Sequence, residues 1–235
     1  MNGLFITGTD TGVGKTFVAC ALAALLSTKG KKVGVMKPVE TGCELKDGQV
    51  QPSDALRLRR FSRSKIPLDL LCPYRFSPPV APAVAAEMAG VRIEKEHIRD
   101  CYQQIAAQHD ITLVEGAGGL LVPLADRYTF ADLSRDLGVP LLLVVGSKLG
   151  AINHALLTLS CAGSRGLAVR GYILNQLTPT PDVAARTNRH ALAETTDAPC
   201  LGSLPFSPLS GEEADDRAGL VALLTRELDL GRLLE

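Results

Sequence analysis

Gly8-Thr9-Asp10-Thr11-Gly12-Val13-Gly14-Lys15-Thr16 stands between a short apolar run, Leu4-Phe5-Ile6-Thr7, and a helical stretch, Lys15–Lys29, that is apolar nearly all round. Glycines at such a junction let successive backbone N–H groups turn inward around phosphate oxygens, and the helix N-terminus adds a partial positive charge. In that reading Lys15 reaches the β- and γ-phosphates and the Thr16 hydroxyl holds Mg²⁺. The ending Gly14-Lys15-Thr16 is that of a Walker A loop, although the first glycine, Gly8, comes one residue earlier than the usual spacing, which would put it at Thr9. A glycine-rich turn opening an ordinary helix is the plainer alternative. The strand before it, the lysine and the hydroxyl together favour the phosphate loop.

Further short apolar runs read as strands: Val33–Met36, Ile111–Val114, Leu141–Val145 and Tyr172–Leu174, with Leu4–Thr7 as the first. They are near-continuously apolar rather than alternating, which suits a parallel sheet covered on both faces. Helical patterns separate them at Lys15–Lys29, Ser53–Phe61, Glu94–Gln108, Thr129–Leu137, Ala151–Ala162 and Asp182–Glu194. Gly30 is placed to stop the first helix, and Thr129 with Asp132 forms a capping pair. The alternation predicts a doubly wound α/β fold, a mainly parallel sheet flanked by helices, of the phosphate-loop NTPase kind and in one domain over residues 1–235. The proline-rich segments Pro73–Pro82 and Pro199–Pro208 read as loops within that domain.

Composition bounds the rest. The 235 residues carry 25 basic and 25 acidic side chains, so no general attraction to nucleic acid or to a membrane surface is expected. The most apolar helical stretch, Phe17–Leu26, is about half of what spans a bilayer. The first residues show neither a basic n-region nor a long apolar run, and the six cysteines are scattered singly, without C-x-x-C spacing. The expectation is a cytoplasmic protein with free thiols. H-E-x-x-H and G-x-S-x-G are both missing from the sequence, so zincin and serine-hydrolase chemistry have no starting point.

In an open parallel sheet ligands gather outside the carboxyl ends of the strands. Polar residues and glycines cluster there: Gly8–Thr16, Lys37–Gly42, Glu115–Gly119, Gly146–Gly150 and Asn175–Thr178. Glu115 ends an apolar strand, where a carboxylate is costly to bury unless it binds something, so it is a candidate Mg²⁺ ligand. Asp54, at the start of a helical stretch, could serve only the helix dipole. Lys37 ends the second strand, and could either stabilise charge in phosphoryl transfer or snorkel to the surface.

The chain resembles the dethiobiotin synthetase family. The likeness is carried by the loop Gly8–Thr16, Lys37-Pro38-Val39, Ser53-Asp54-Ala55-Leu56, Val114-Glu115-Gly116-Ala117-Gly118-Gly119 and Gly150-Ala151-Ile152-Asn153-His154-Ala155, in order from residue 3 to about residue 206. The long interval after Gly8 is a feature of that family. The resemblance implies an ATP-dependent cyclo-ligase. It carboxylates 7,8-diaminononanoate with CO₂ or bicarbonate, phosphorylates the carbamate with ATP and closes a ureido ring. It also implies Lys37, Lys15 and Thr11 as catalytic groups, and Mg²⁺ on Thr16, Asp54 and Glu115. Nucleotide contacts are implied from Gly12, Val13, Gly14, Lys15, Thr16 and Phe17, from Gly116, Ala117 and Gly118, from Asn175 and Gln176, and from Pro205, Phe206, Ser207 and Glu212. Thr41 and Pro79 are implied for substrate. So are Leu149, Gly150, Ala151, Ile152 and Asn153, whose helix N-terminus binds the substrate carboxylate across a homodimer interface in the family. Gln176 stands where aspartate is frequent, and Gly12 where many members carry glutamate, so base recognition departs from the family pattern.

Three other readings compete. A partitioning or scaffold-type switch ATPase would carry a second lysine early in the loop, where this chain has Asp10. A GTPase would need an Asn-Lys-x-Asp base reader, a tetrapeptide the sequence lacks. A small-molecule kinase shares the loop and is separable by its product, which keeps the phosphate.

Overall fold

Every residue from Phe17 to Leu26 is buried, so the helix after the loop needs neighbours on all sides. The computed structural model, which describes residues 3–208 and 216–234, supplies them. In chain order the elements are β1 (Gly3–Gly8), α1 (Lys15–Thr28), β2 (Val33–Met36), β3 (Val39–Thr41), β4 (Glu44–Lys46), β5 (Gln49–Gln51), α2 (Ser53–Ser62), α3 (Leu68–Leu71), β6 (Tyr74–Phe76), α4 (Pro82–Met88) and α5 (Lys95–Ala106). There follow β7 (Ile111–Gly119), β8 (Pro123–Ala125), β9 (Tyr128–Thr129), α6 (Phe130–Leu137), β10 (Leu141–Ser147), α7 (Ala151–Ser164), β11 (Val169–Gln176), α8 (Val183–Thr195), β12 (Cys200–Leu204), α9 (Arg217–Glu227) and α10 (Leu230–Leu234).

Six strands form the main sheet in the order β12-β11-β10-β1-β7-β2, and every neighbouring pair is parallel. From β1 the chain goes first to the edge strand β2, returns to β7, and then crosses to β10 on the other side of β1. With right-handed crossovers, that reversal puts α1 on one face and α5, α6, α7 and α8 on the other. It also makes the carboxyl end of β1 the switch point, where a ligand crevice opens. α1 lies between α2 and α9. Its alanines, Ala19, Ala21, Ala23 and Ala24, let these neighbours approach, and Arg217 ties the layer together. That guanidinium donates to the backbone carbonyls of Phe61 (3.1 Å) and Ala24 (3.0 Å).

Two punctuation signals act as expected. Gly30, at φ 81°, donates to Ser27 O while Lys31 donates to Leu26 O, the double return bond of a Schellman stop. The Asp132 carboxylate accepts from both the N–H (2.9 Å) and the hydroxyl (2.7 Å) of Thr129 at the start of α6. All six cysteines are free.

The two proline-rich segments are more ordered than loops. Pro73–Pro82 contains β6, which pairs in parallel with β3, and ends on Pro82, the first residue of α4. Proline suits that position because its missing N–H would have had no partner there. Pro199–Pro208 contains β12, the sixth strand of the sheet, held to β11. No helix among the described residues is long and apolar enough to cross a membrane.

Candidate active site

The exits of β1, β2 and β7 open into one cleft of about 740 Å³. The loop after β1 is locked from below. Val13 is buried, its side chain close against Gly8 and Gly146, and its carbonyl accepts from Asn175 Nδ2 (2.9 Å). Gly14 follows at φ 94°, a left-handed conformation, and α1 begins at Lys15. Lys15 donates to the backbone carbonyl of Asp10 (2.9 Å). Burial, then repulsion from Lys37, pulls its pKa down to about 8 against the pull of Glu115, Asp54 and Asp10.

The same cleft holds an ion cluster. Lys37 follows the last residue of β2 and is 3% exposed, so it does not snorkel. Its ammonium donates to Asp54 Oδ2 (2.8 Å) and to Glu115 Oε1 (2.5 Å), and the same Glu115 oxygen accepts from the Thr16 hydroxyl (2.8 Å). Burial alone would lower the Lys37 pKa, but Asp54 and Glu115 outweigh it and hold the group well above its ordinary value. The carboxylates diverge because their exposures do. Asp54, at 33%, is held below its usual range, since Lys37 and Thr16 overcome its burial. Glu115, at 0%, is pushed up by burial despite the same ammonium.

Whether a divalent cation suits these residues is answered by the donors. Glu115 Oε2 is buried and has no hydrogen-bond partner among the described residues. The two carboxylates meet on one cationic centre, the Lys37 ammonium, and the Thr16 hydroxyl joins them through the same Glu115 oxygen. Three protein oxygens are what Mg²⁺ takes when phosphates and water complete its octahedron. The residues fit.

Glu40 was not singled out from the sequence. This β3 residue is buried, and its oxygens accept from the backbone N–H groups of Asp54 (2.9 Å) and Ala55 (3.0 Å). Burial pushes its pKa up to about 7. Arg57, one turn beyond Asp54, also lines the cleft.

A family model described as an AAA domain matches residues 2–214. The chain is 43% identical to the ATP-dependent dethiobiotin synthetase of Thermodesulfovibrio yellowstonii, over 87% of this chain and 88% of that one. It is 46% identical to that of Aromatoleum aromaticum over 86% and 89%. With that of Marinobacter nauticus it shares 37% identity over 98% and 97%. The chain belongs to the dethiobiotin synthetase family. Among solved structures it is similar to a ParA family ATPase from Chlorobium tepidum (TM-score 0.56, 15% identity, 95% of this chain and 92% of that one). It is also similar to the cell division protein FtsY of Thermotoga maritima (TM-score 0.54, 17% identity, 94% and 67%). At those identities the likeness is one of fold.

Measured against the family's implied site, the cleft gathers Thr11, Gly12, Gly14, Lys15, Thr16, Phe17, Lys37, Thr41, Asp54, Pro79, Glu115, Ala117, Gly118, Asn175, Gln176 and Phe206 on its walls. Others stand apart. Val13 and Gly116 are turned into the core, Gly116 against Phe5 and Phe130, so each can offer a ligand only backbone. Pro205 and Ser207 flank Phe206 without lining the cleft. Leu149, Gly150, Ala151, Ile152 and Asn153 also lie outside it. They begin α7, which starts beyond β10 on the far side of β1, and Leu149 is exposed there. Glu212 is outside the described residues.

The shifted lysine gives a prediction. A bound polyphosphate favours the charged ammonium and returns the Lys15 pKa toward its ordinary value. Calorimetry of ATP binding at about pH 9, in buffers of different ionisation enthalpy, should therefore show uptake of up to about one proton per site. The sign follows from the downward shift, since the free enzyme has lost that proton above about pH 8 and the complex regains it. Heats independent of buffer at that pH would mean Lys15 is already charged.

Proposed function

We propose that this chain is an ATP-dependent dethiobiotin synthetase. Its substrates are 7,8-diaminononanoate, CO₂ or bicarbonate, and Mg·ATP, and its products are the ring-closed ureido compound, ADP and phosphate. Family membership supports the overall reaction. The observation that supports the chemistry is Lys37, buried between Asp54 and Glu115 and lining the same cleft as Lys15.

An amine of the substrate adds to CO₂ and loses a proton, giving a carbamate. A carbamate oxygen then attacks the γ-phosphorus while the bond to the ADP oxygen breaks. The second amine attacks the carbonyl of the mixed anhydride, loses its proton, and phosphate leaves with the electrons of the C–O bond. Phosphorylation turns a poor oxide leaving group into a good one. The protein's task is to bring an anionic carbamate to an anionic phosphate. Lys15 and the N–H groups of Gly12–Thr16 cradle the phosphates, Lys37 supplies positive charge where carbamate and γ-phosphate meet, and Thr11 and Thr41 orient the carbamate and amine. When bound, Mg²⁺ held by Thr16, Asp54 and Glu115 would neutralise phosphate charge. Asn175, Gln176 and Phe206, which line the cleft, would hold the base. Leu149–Asn153 lie outside one chain's cleft, and their placement agrees with a homodimer in which a second copy offers this helix N-terminus to the substrate carboxylate.

The test is phosphate release in the presence of diamine, bicarbonate and Mg·ATP together, with none when any one is omitted. ¹⁸O from labelled bicarbonate should appear in the released phosphate, because a carbamate oxygen stays on phosphorus when the C–O bond breaks. Phosphate retained on the diamine would identify a kinase, and hydrolysis independent of the diamine would favour a switch ATPase.

A further inference from the structure

Glu40 is a buried carboxyl group whose cost needs a return. The residue before α2 is Pro52, which offers no side-chain acceptor, so the first N–H groups of the helix have no partner from their own turn. Glu40 meets them from β3: Oε1 accepts from Asp54 N–H at 2.9 Å, Oε2 accepts from Ala55 N–H at 3.0 Å, and Ser53 Oγ lies 3.5 Å from Oε1. A carboxylate at this end of a helix is favoured by the dipole. A serine or aspartate at position 52 would have capped the helix at less cost. What a local cap cannot do is tie the helix to a particular strand. β3 starts two residues after Lys37, and the same residue whose N–H meets Glu40 sends its carboxylate to Lys37. Backbone and side chain of Asp54 are thus both held by one five-residue stretch, Lys37–Thr41.

We propose that Glu40 is a positioning residue for phosphoryl transfer: by holding the N–H groups of Asp54 and Ala55 it sets α2 against β3, and so places the Asp54 carboxylate with Glu115, Thr16 and Lys37. The proposal rests on the reading of Asp54 as a Mg²⁺ ligand. A helix cap with a stabilising role alone would leave the metal response unchanged.

The experiment is calorimetry of ATP binding with and without Mg²⁺, the ratio of the two affinities being the coupling between metal and nucleotide. Glu40→Gln keeps one carbonyl acceptor but turns an NH₂ group onto the other N–H. Its coupling should fall about tenfold, as for other residues that orient a metal's ligands, while affinity without Mg²⁺ stays within about twofold. Glu40→Asp keeps the charge but falls one methylene short, and should lie between it and the parent. Asp54→Asn should lose the coupling altogether. If Glu40→Gln keeps the parental coupling while Asp54→Asn loses it, the proposal falls and Asp54 keeps its role, whether or not the melting temperature drops. If Asp54→Asn also keeps it, the reading of Asp54 falls. Should Glu40→Gln fail to fold, Glu40→Asp decides by the same comparison.

Discussion

Lys37→Gln should lower turnover by about 10²–10³-fold, the loss seen when one preorganised charge-stabilising donor is removed. Nucleotide affinity should stay within a few-fold. On the proposed reading the two effects separate because Lys15 and the loop's N–H groups hold the phosphates, while Lys37 is held on the Asp54 and Glu115 carboxylates. The same variant carries a structural signature. With the ammonium gone, Asp54 and Glu115 face each other without a counter-ion. Breaking a buried pair in this way costs about 3–5 kcal/mol unless the remaining acid takes up a proton. Glu115, fully buried and already pushed up, is the acid that does so. Its raised pKa means that the folded variant holds a proton that the unfolded chain has lost. The variant is therefore relatively more stable at acid pH and loses that contribution as pH rises through the folded pKa. Melting curves across pH should show a steeper fall toward neutrality than the parent. Near-normal turnover would reduce Lys37 to a structural ion pair, and parallel melting curves would remove Glu115 as the acceptor.

Much of this was legible along the chain because it is local. The Gly14-Lys15-Thr16 ending, the all-apolar run Phe17–Leu26 and the stop at Gly30 are read within one turn of themselves, and the structure keeps each. Lys37 and Glu115 were legible for a related reason, since a charge at the end of an apolar run lies toward the carboxyl edge of a parallel sheet, although β7 runs on past Glu115 to Gly119. Asp54 was ambiguous, and the structure shows why: it stands in the first turn of α2, where the dipole favours an acid, and it also meets Lys37. What stayed hidden depends on tertiary neighbours. Cys200-Leu201-Gly202-Ser203-Leu204 has too few apolar residues to announce a strand, and becomes one only on the edge offered by β11. Glu40 looks like any acid between Lys37 and Thr41 until α2, which starts 13 residues later, is laid against β3.

Gly14→Ala should weaken ATP binding by at least about 100-fold, or 2.7 kcal/mol, and Gly12→Ala by much less, although both glycines have positive φ. At Gly12, φ is 73° and an added Cβ would meet nothing within 4 Å, so alanine there pays only the left-handed strain of about 1–2 kcal/mol. At Gly14, φ is 94° and the Cβ would lie 2.2 Å from Asn175 Nδ2. That amide cannot simply retreat, because Asn175 is 4% exposed and its Nδ2 donates to the carbonyl of Val13 inside the loop. Either the loop lifts, turning its N–H groups away from the phosphates, or Asn175 gives up its bond and leaves buried polar groups unpaired, which costs about 1–3 kcal/mol. A double-mutant cycle separates the terms. Asn175→Ala removes the clash together with the bond, so Gly14→Ala/Asn175→Ala should bind ATP better than the sum of the two single losses predicts, with the φ strain remaining. If Gly14→Ala binds ATP as well as Gly12→Ala does, the close approach of Asn175 does not constrain the loop. Strict additivity in the cycle would place the whole cost in the backbone of residue 14.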